Sequence, residues 1–154
     1  MNNITYDNGF DCVWIASDKE GYLAAFFTAG QGPIPIQATK NEKLVLDDIE
    51  SEVYKLHPFS DVDLHVSVKR PDDFIEMSKR GFFVYDWRDI VRTNDCLSNS
   101  YELVSSPKYP ILIHELSGPI FDMAIDIIFS HISFREFHKI NGAYLQSVGR
   151  DDRD

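Results

Sequence analysis

The chain has no long hydrophobic run. In 154 residues no stretch approaches the ~20 consecutive apolar residues that cross a bilayer, so a membrane span is not expected. Cysteine is scarce: Cys12 and Cys96 stand alone, without a C-x-x-C pair, and read as buried thiols in a reducing cytoplasm rather than as a disulfide or a zinc site. The opening MNNITYDNGFD has no basic residue and no apolar signal core, which again suggests a cytoplasmic location. Positive charge is also short, with 15 Lys and Arg against 25 Asp and Glu and a net charge of −10. Such a balance repels nucleic acid and anionic membrane and draws cationic partners. The basic residues that do group, Lys69, Arg70, Lys79, Arg80, Arg88 and Arg92, are interleaved with acids, so nucleic-acid binding is disfavoured.

Catalytic signatures are missing too. The glycines of GQGPIP (30–35) are followed by Pro-Ile-Pro instead of Lys and Ser or Thr, and the two prolines withhold backbone donors that a phosphate loop requires. No G-x-S-x-G elbow precedes a helix. His131 and His138 flank Glu136 without forming H-E-x-x-H. His114 and Glu115 are strand neighbours in this reading and would point to opposite faces, which prevents an acid–base pair.

What is present reads as one α+β domain, a largely antiparallel mixed sheet with about three helices. Its centre is a hairpin. Residues 12–16 and 22–28 are short, aromatic-rich and β-branched runs joined by the polar turn Asp18, Lys19, Glu20, Gly21. Val13 and Ile15 would face one way and Cys12, Trp14 and Ala16 the other, so both faces are expected to be covered. Thr39 and Glu42 have capping-box spacing, and Leu46, Ile49, Val53 and Leu56 make a stripe, which predicts a helix over 41–56. Asp47, Glu50 and Glu52 lie on its other face, with Asp48 close by. Val62, Leu64, Val66 and Val68 alternate with Asp63, His65 and Ser67 as a strand wet on one side.

Pro71, Asp72 and Asp73 at one end, and Lys79, Arg80 and Gly81 at the other, predict a helix over 71–80 that turns Phe74 and Met77 inward, with Ser78 a further candidate for that face. FFVYDW (82–87) is a strand apolar on both faces. Further strands are expected at 101–105 and 111–114. Ser117 caps a helix with Pro119 in its first turn and an inward stripe of Ile120, Phe121, Ala124, Ile125 and Ile128. A short strand near 132–134 and a mobile charged tail from 149 complete the reading.

Two groups could bind something. Asp61, Asp63 and His65 share one strand face and could offer a divalent metal two carboxylates and an imidazole, as in a small metal-dependent hydrolase, although plain alternation produces the same pattern. Asp86, Trp87, Arg88 and Asp89 put an aromatic and an arginine at a strand end, residue types favoured as interface anchors; Trp87 could equally be core.

Taken together, DCVWIASDKEGYLAAFFTAGQGPIP (11–35), RPDDF (70–74) and GFFVYDWRDI (81–90) resemble a group of small bacterial proteins with the same layout over most of the chain, whose motifs are structural and bring no catalytic residues with them. In size, acidity and lack of active-site motifs the chain also resembles, in type, the immunity proteins of bacterial polymorphic toxins, such as those of contact-dependent growth inhibition. That resemblance implies a non-enzymatic, cofactor-free cytoplasmic protein, monomeric or homodimeric, that binds and blocks a cognate toxin domain. Asp47, Glu50, Glu52, Asp86, Trp87, Arg88 and Asp89 are the expected contact residues. A non-catalytic assembly subunit, joining through the two-sided apolar strands near Trp14 and Phe83, is the other alternative.

Overall fold

The computed structural model describes residues 4–5, 11–39, 48–66, 71–88, 100–142 and 145, without the side chains of residues 4, 5 and 88. The order is β1 (Ile4–Thr5), β2 (Val13–Asp18), β3 (Leu23–Phe27), β4 (Ile34–Pro35), α1 (Ile49–Tyr54), β5 (Val62–Leu64), α2 (Asp72–Lys79), β6 (Phe83–Arg88), β7 (Ser100–Pro107), α3 (Pro119–Asp126), β8 (Ile128–Phe129) and β9 (Lys139–Asn141). Seven strands form one mixed sheet in the order β5-β7-β6-β3-β2-β8, with β9 also on β7, while β1 and β4 pair separately. The β2–β3, β6–β7, β5–β7 and β7–β9 pairs are antiparallel; β3–β6 and β2–β8 are parallel. This is the α+β mixed sheet expected. No helix among the described residues is long and apolar enough to cross a membrane.

The central hairpin forms as its composition predicts, with Trp14 opposite Phe26 and Ile15 opposite Ala25. Every residue of β2 and β3 is buried, because both faces are covered. One face carries the aromatic core: Trp14 stacks on Phe26 at 4.1 Å, Phe26 on Tyr85 at 5.1 Å, and Phe129 and Phe134 close over them. The other face takes the helices. Phe27 meets Phe74 of α2 edge to face, and Ser17 Oγ donates to the Ala124 carbonyl of α3. An irregularity where Val84 and Tyr85 meet β7 moves the pairing from Leu103 to Ser105 in one step. Ser105 thereby turns to the helix side, where it meets Ser78 Oγ at 2.7 Å.

Several expectations need correction. Of the helix expected at 41–56, residues 41–47 lie outside the described residues; Ile49 and Val53 are buried as the stripe requires, and the helix ends at Tyr54. In β5 Leu64 does not face inward but is 42% exposed, because β5 is an edge strand held only by β7; residues 67 and 68 of that expected strand are outside the described residues. β7 is longer than expected at Ser100–Pro107. Residues 111–114 are not a strand: Leu112 makes one bridge to Tyr22, and the chain then coils into a 3-10 turn, Ile113–Glu115, where the Glu115 carboxylate accepts the Leu112 N–H.

α3 starts from Gly118 (φ 82°), not Ser117. It buries Ile120, Met123 and Ala124, followed by Ile127 beyond its end. This is a stripe of the same period as the expected one but rotated, and it leaves Ile125 and Ile128 exposed. Residues 132–134 are not a strand: 132 and 133 have no regular structure and a turn begins at 134, with short strands before and after. The expected tail from 149 and Cys96 are outside the described residues; Cys12 is buried beside Thr28.

The loop 28–35 is built on close approach. Tyr101 Oη donates to the Pro33 carbonyl, and a Cβ on Gly32 would lie 2.5 Å from that hydroxyl oxygen. A Cβ on Gly81, at φ +95°, would likewise lie 2.7 Å from Ile111.

Candidate functional site: an acidic face around Tyr54

Glu50 and Tyr54 are one helical turn apart on α1, and α2 begins beside them, so the Tyr54 hydroxyl lies 3.5 Å from Glu50 Oε2 and 3.3 Å from Asp73 Oδ1. A single phenolic hydrogen serves two carboxylates. Burial, then Asp73 and Asp11, hold the Glu50 carboxyl above the usual carboxylate range. Burial, then Asp73 and Glu50, push the Tyr54 phenol above its ordinary value. Asp11, Glu50 and Asp73 thus bring negative charge to one place from three distant parts of the chain.

The cation beside Tyr54 among the described residues is spent internally. Arg80 sits under the Tyr54 ring, 5.1 Å from its centroid. Its guanidinium donates to the Leu56 and Glu76 carbonyls at 2.9 and 2.8 Å and to Glu76 Oε1 at 2.9 Å, tying the ends of both helices together. The same pair, helped by Lys79, holds the Glu76 carboxyl below its usual value. Among the described residues no Lys or Arg reaches Glu50 or Asp73 within ion-pairing distance.

The expected contact residues are distributed unevenly over this structure. Glu50 belongs to the acidic face. Glu52 is occupied by Lys55 at 2.6 Å. Asp47 and Asp89 lie outside the described residues, as does the Arg88 side chain. Asp86 is half-buried on β6, opposite Glu102 of β7. Trp87 is not an exposed anchor: it is 4% exposed and packs on Tyr101 with ring centroids 4.9 Å apart, because the 28–35 loop covers that end of the sheet.

The aromatic that stands in the acidic face is Tyr54, 37% exposed. Its i, i+4 spacing to Glu50 was visible in the sequence. The approach of Asp73, which reads there as a helix-start residue, was not.

Asp61, Asp63 and His65 are exposed on β5 and its flanks. His65 Nε2 lies 2.7 Å from Ser106 Oγ, and its ring meets His138 edge-on at 5.8 Å. Burial, then His138, lowers the His65 pKa, and Asp63 partly offsets this. Among the described residues no three His, Cys, Asp or Glu side chains converge as a metal site. Glu115 caps its own turn and His114 is exposed.

Comparison with protein-family models, with curated proteins and with solved structures gave no match.

Proposed function

We propose that this chain is an immunity-type inhibitor, a cytoplasmic protein that binds a cognate bacterial toxin domain and blocks it without catalysis. The observation that carries the reading is the pair Glu50 and Asp73 on the hydroxyl of a partly exposed tyrosine, in a chain of net charge −10. Carboxylates held together against their own repulsion gain most from a cationic partner, whose approach relieves that repulsion and is steered by the field of the whole molecule. Tyr54 supplies an amphipathic anchor of the kind enriched at interface hot spots, already fixed from below by Arg80. Basic nuclease domains present this complementary charge, and an acidic inhibitor would compete with the phosphate backbone for it. The resemblance in type to immunity proteins points the same way.

The test is a side-by-side capture from lysate of the source bacterium at low salt, using the wild-type protein and a Glu50→Lys, Asp73→Lys double variant. The C-terminal domain of a secreted toxin, held one-to-one by the wild type, released by high salt and lost from the folded variant, is the expected result. Recovery of only metabolic proteins, or equal recovery by both baits, would overturn the reading.

A further inference from the structure

On the strand-end side of the sheet, away from α1, a cleft of about 360 Å³ is lined by Tyr22, Phe83, Pro107, Lys108, Pro110 and Arg135. That volume falls at the small end of the range for organic-ligand sites. We propose that it binds a small planar organic anion, its ring against Tyr22 and Phe83 and its carboxylate or phosphate between Lys108 and Arg135.

Charge is the first argument. Of the described cationic side chains, Lys55, Lys79, Arg80 and Lys139 each have a carboxylate within 4 Å. Lys108, Arg135 and, on the hairpin turn, Lys19 have none among the described residues, and two of these three line the same cleft. In a chain with so many acids, two cations left without carboxylates at one place form a local positive site. Each lies instead near an aromatic ring: the Arg135 guanidinium is 5.8 Å from the Tyr22 centroid, and Lys108 Nζ is 5.6 Å from that of Tyr109. A ring attracts a cation but does not neutralise its formal charge, so both remain available to an anion. Of the acids beside the Arg135 loop, Glu20 accepts from Ser133 Oγ at 2.6 Å and Asp18 Oδ2 from the Phe134 N–H at 2.8 Å, and neither makes an ion pair with Arg135.

Preorganisation is the second. The 133–137 turn is fixed from three sides. The Phe134 N–H donates to Asp18 Oδ2, the Tyr85 hydroxyl donates to the Phe137 carbonyl, and the N–H groups of Glu136 and Phe137 both donate to the Ser133 carbonyl. On the opposite wall the Lys108 N–H donates to the Asp61 carbonyl and the Tyr109 N–H to Ser60 Oγ, between Pro107 and Pro110. The cleft floor is equally set, with the Tyr22 and Phe83 centroids 6.1 Å apart. Little order remains to be imposed when a ligand enters.

The test uses the full chain, labelled with ¹⁵N and titrated separately with phenyl phosphate, benzoate, phenol and inorganic phosphate. Saturable shifts at the amides of Phe83, Lys108 and Arg135 with phenyl phosphate or benzoate are expected, and the tighter of the two identifies the preferred oxyanion. Affinity should fall by about tenfold or more in both Lys108→Ala and Arg135→Ala, whose exposed side chains leave the melting temperature unchanged. Phenol and inorganic phosphate should each bind at least about tenfold more weakly than the aromatic anion, since each lacks one half of the recognition. Shifts that do not saturate, that survive in both variants, or that inorganic phosphate reproduces at equal affinity would overturn the proposal. None of these outcomes depends on a toxin partner.

Discussion

Trp14 Nε1–H donates to Tyr101 Oη across 3.2 Å, and Tyr101 in turn donates its own hydrogen to the Pro33 carbonyl at 2.9 Å. Both rings are fully buried, and they meet edge to face at 5.6 Å. One hydroxyl therefore satisfies an indole donor from β2 and a carbonyl from the 28–35 loop. Tyr101→Phe leaves both groups buried without this partner, and a loss of about 2–4 kcal/mol is expected from the two unmet hydrogen bonds. Urea denaturation measures the loss, and Trp14 fluorescence reports the altered site. A change within about 0.5 kcal/mol would mean that water replaces the hydroxyl.

Gly32→Ala tests the same region from the other side. The added methyl carbon would lie 2.5 Å from Tyr101 Oη and 3.0 Å from Trp87 Cβ. Loop and ring cannot both stay in place, so a stability loss of about 1–3 kcal/mol is expected. Ala at Gly32 in a Tyr101→Phe background should cost less, because the clashing oxygen is gone. Fully additive effects in that cycle would count against the contact.

Trp87→Ala should behave as a core deletion, lowering stability by about 3–5 kcal/mol. A variant with unchanged melting temperature and an altered off-rate for a bound protein would place Trp87 in an interface instead.

Stability should rise on mild acidification. Glu50 and Asp18 both keep their protons above the ordinary carboxylate range, Glu50 through burial, Asp73 and Asp11, and Asp18 through burial against three backbone hydrogen bonds that pull the other way. A carboxyl whose folded pKa exceeds its unfolded value contributes stability that is complete below the unfolded pKa and lost as pH rises through the folded one. Glu50→Gln removes its share of that loss. The variant should be the more stable at neutral pH, with a flatter dependence between about pH 5 and 7. Denaturant midpoints at the two pH values decide it, and a variant less stable at neutral pH would contradict the assignment.

The proposed capture of a cationic toxin domain has a kinetic signature. Single Glu50→Lys and Asp73→Lys variants should slow association by about tenfold at low salt and flatten its salt dependence. Tyr54→Ala should act mainly on the off-rate. Stopped-flow measurements with the captured domain separate the two, and an on-rate unchanged in both lysine variants would remove the electrostatic part of the mechanism.

Local chemistry made much of this fold readable. The β2–β3 hairpin, the 72–79 helix with Asp at its start and Lys at its end, and the two-sided apolar β6 follow from turn residues, helix-end charges and strand composition, which act within a few residues of each other. Where two local readings were equally good, the sequence could not choose. Around Ile120 to Ile128 two overlapping apolar stripes share one period, and only packing of Met123 and Ala124 on the sheet selects between them. Tyr101 reads as one more strand aromatic until the 28–35 loop is seen against it.

The sequence by itself determined the fold class, the hairpin at its centre and the excess of negative charge, because these depend on composition and on contacts between near neighbours. Only the tertiary structure decided where that charge gathers and where it is relieved. Glu50 and Asp73 meet at the Tyr54 hydroxyl, and Lys108 and Arg135 line one cleft, through contacts between segments tens of residues apart. The placing of Trp87 in the core and of Tyr54 in the acidic face has the same cause, since burial is settled by what the rest of the chain lays over a residue and not by the residue's own type.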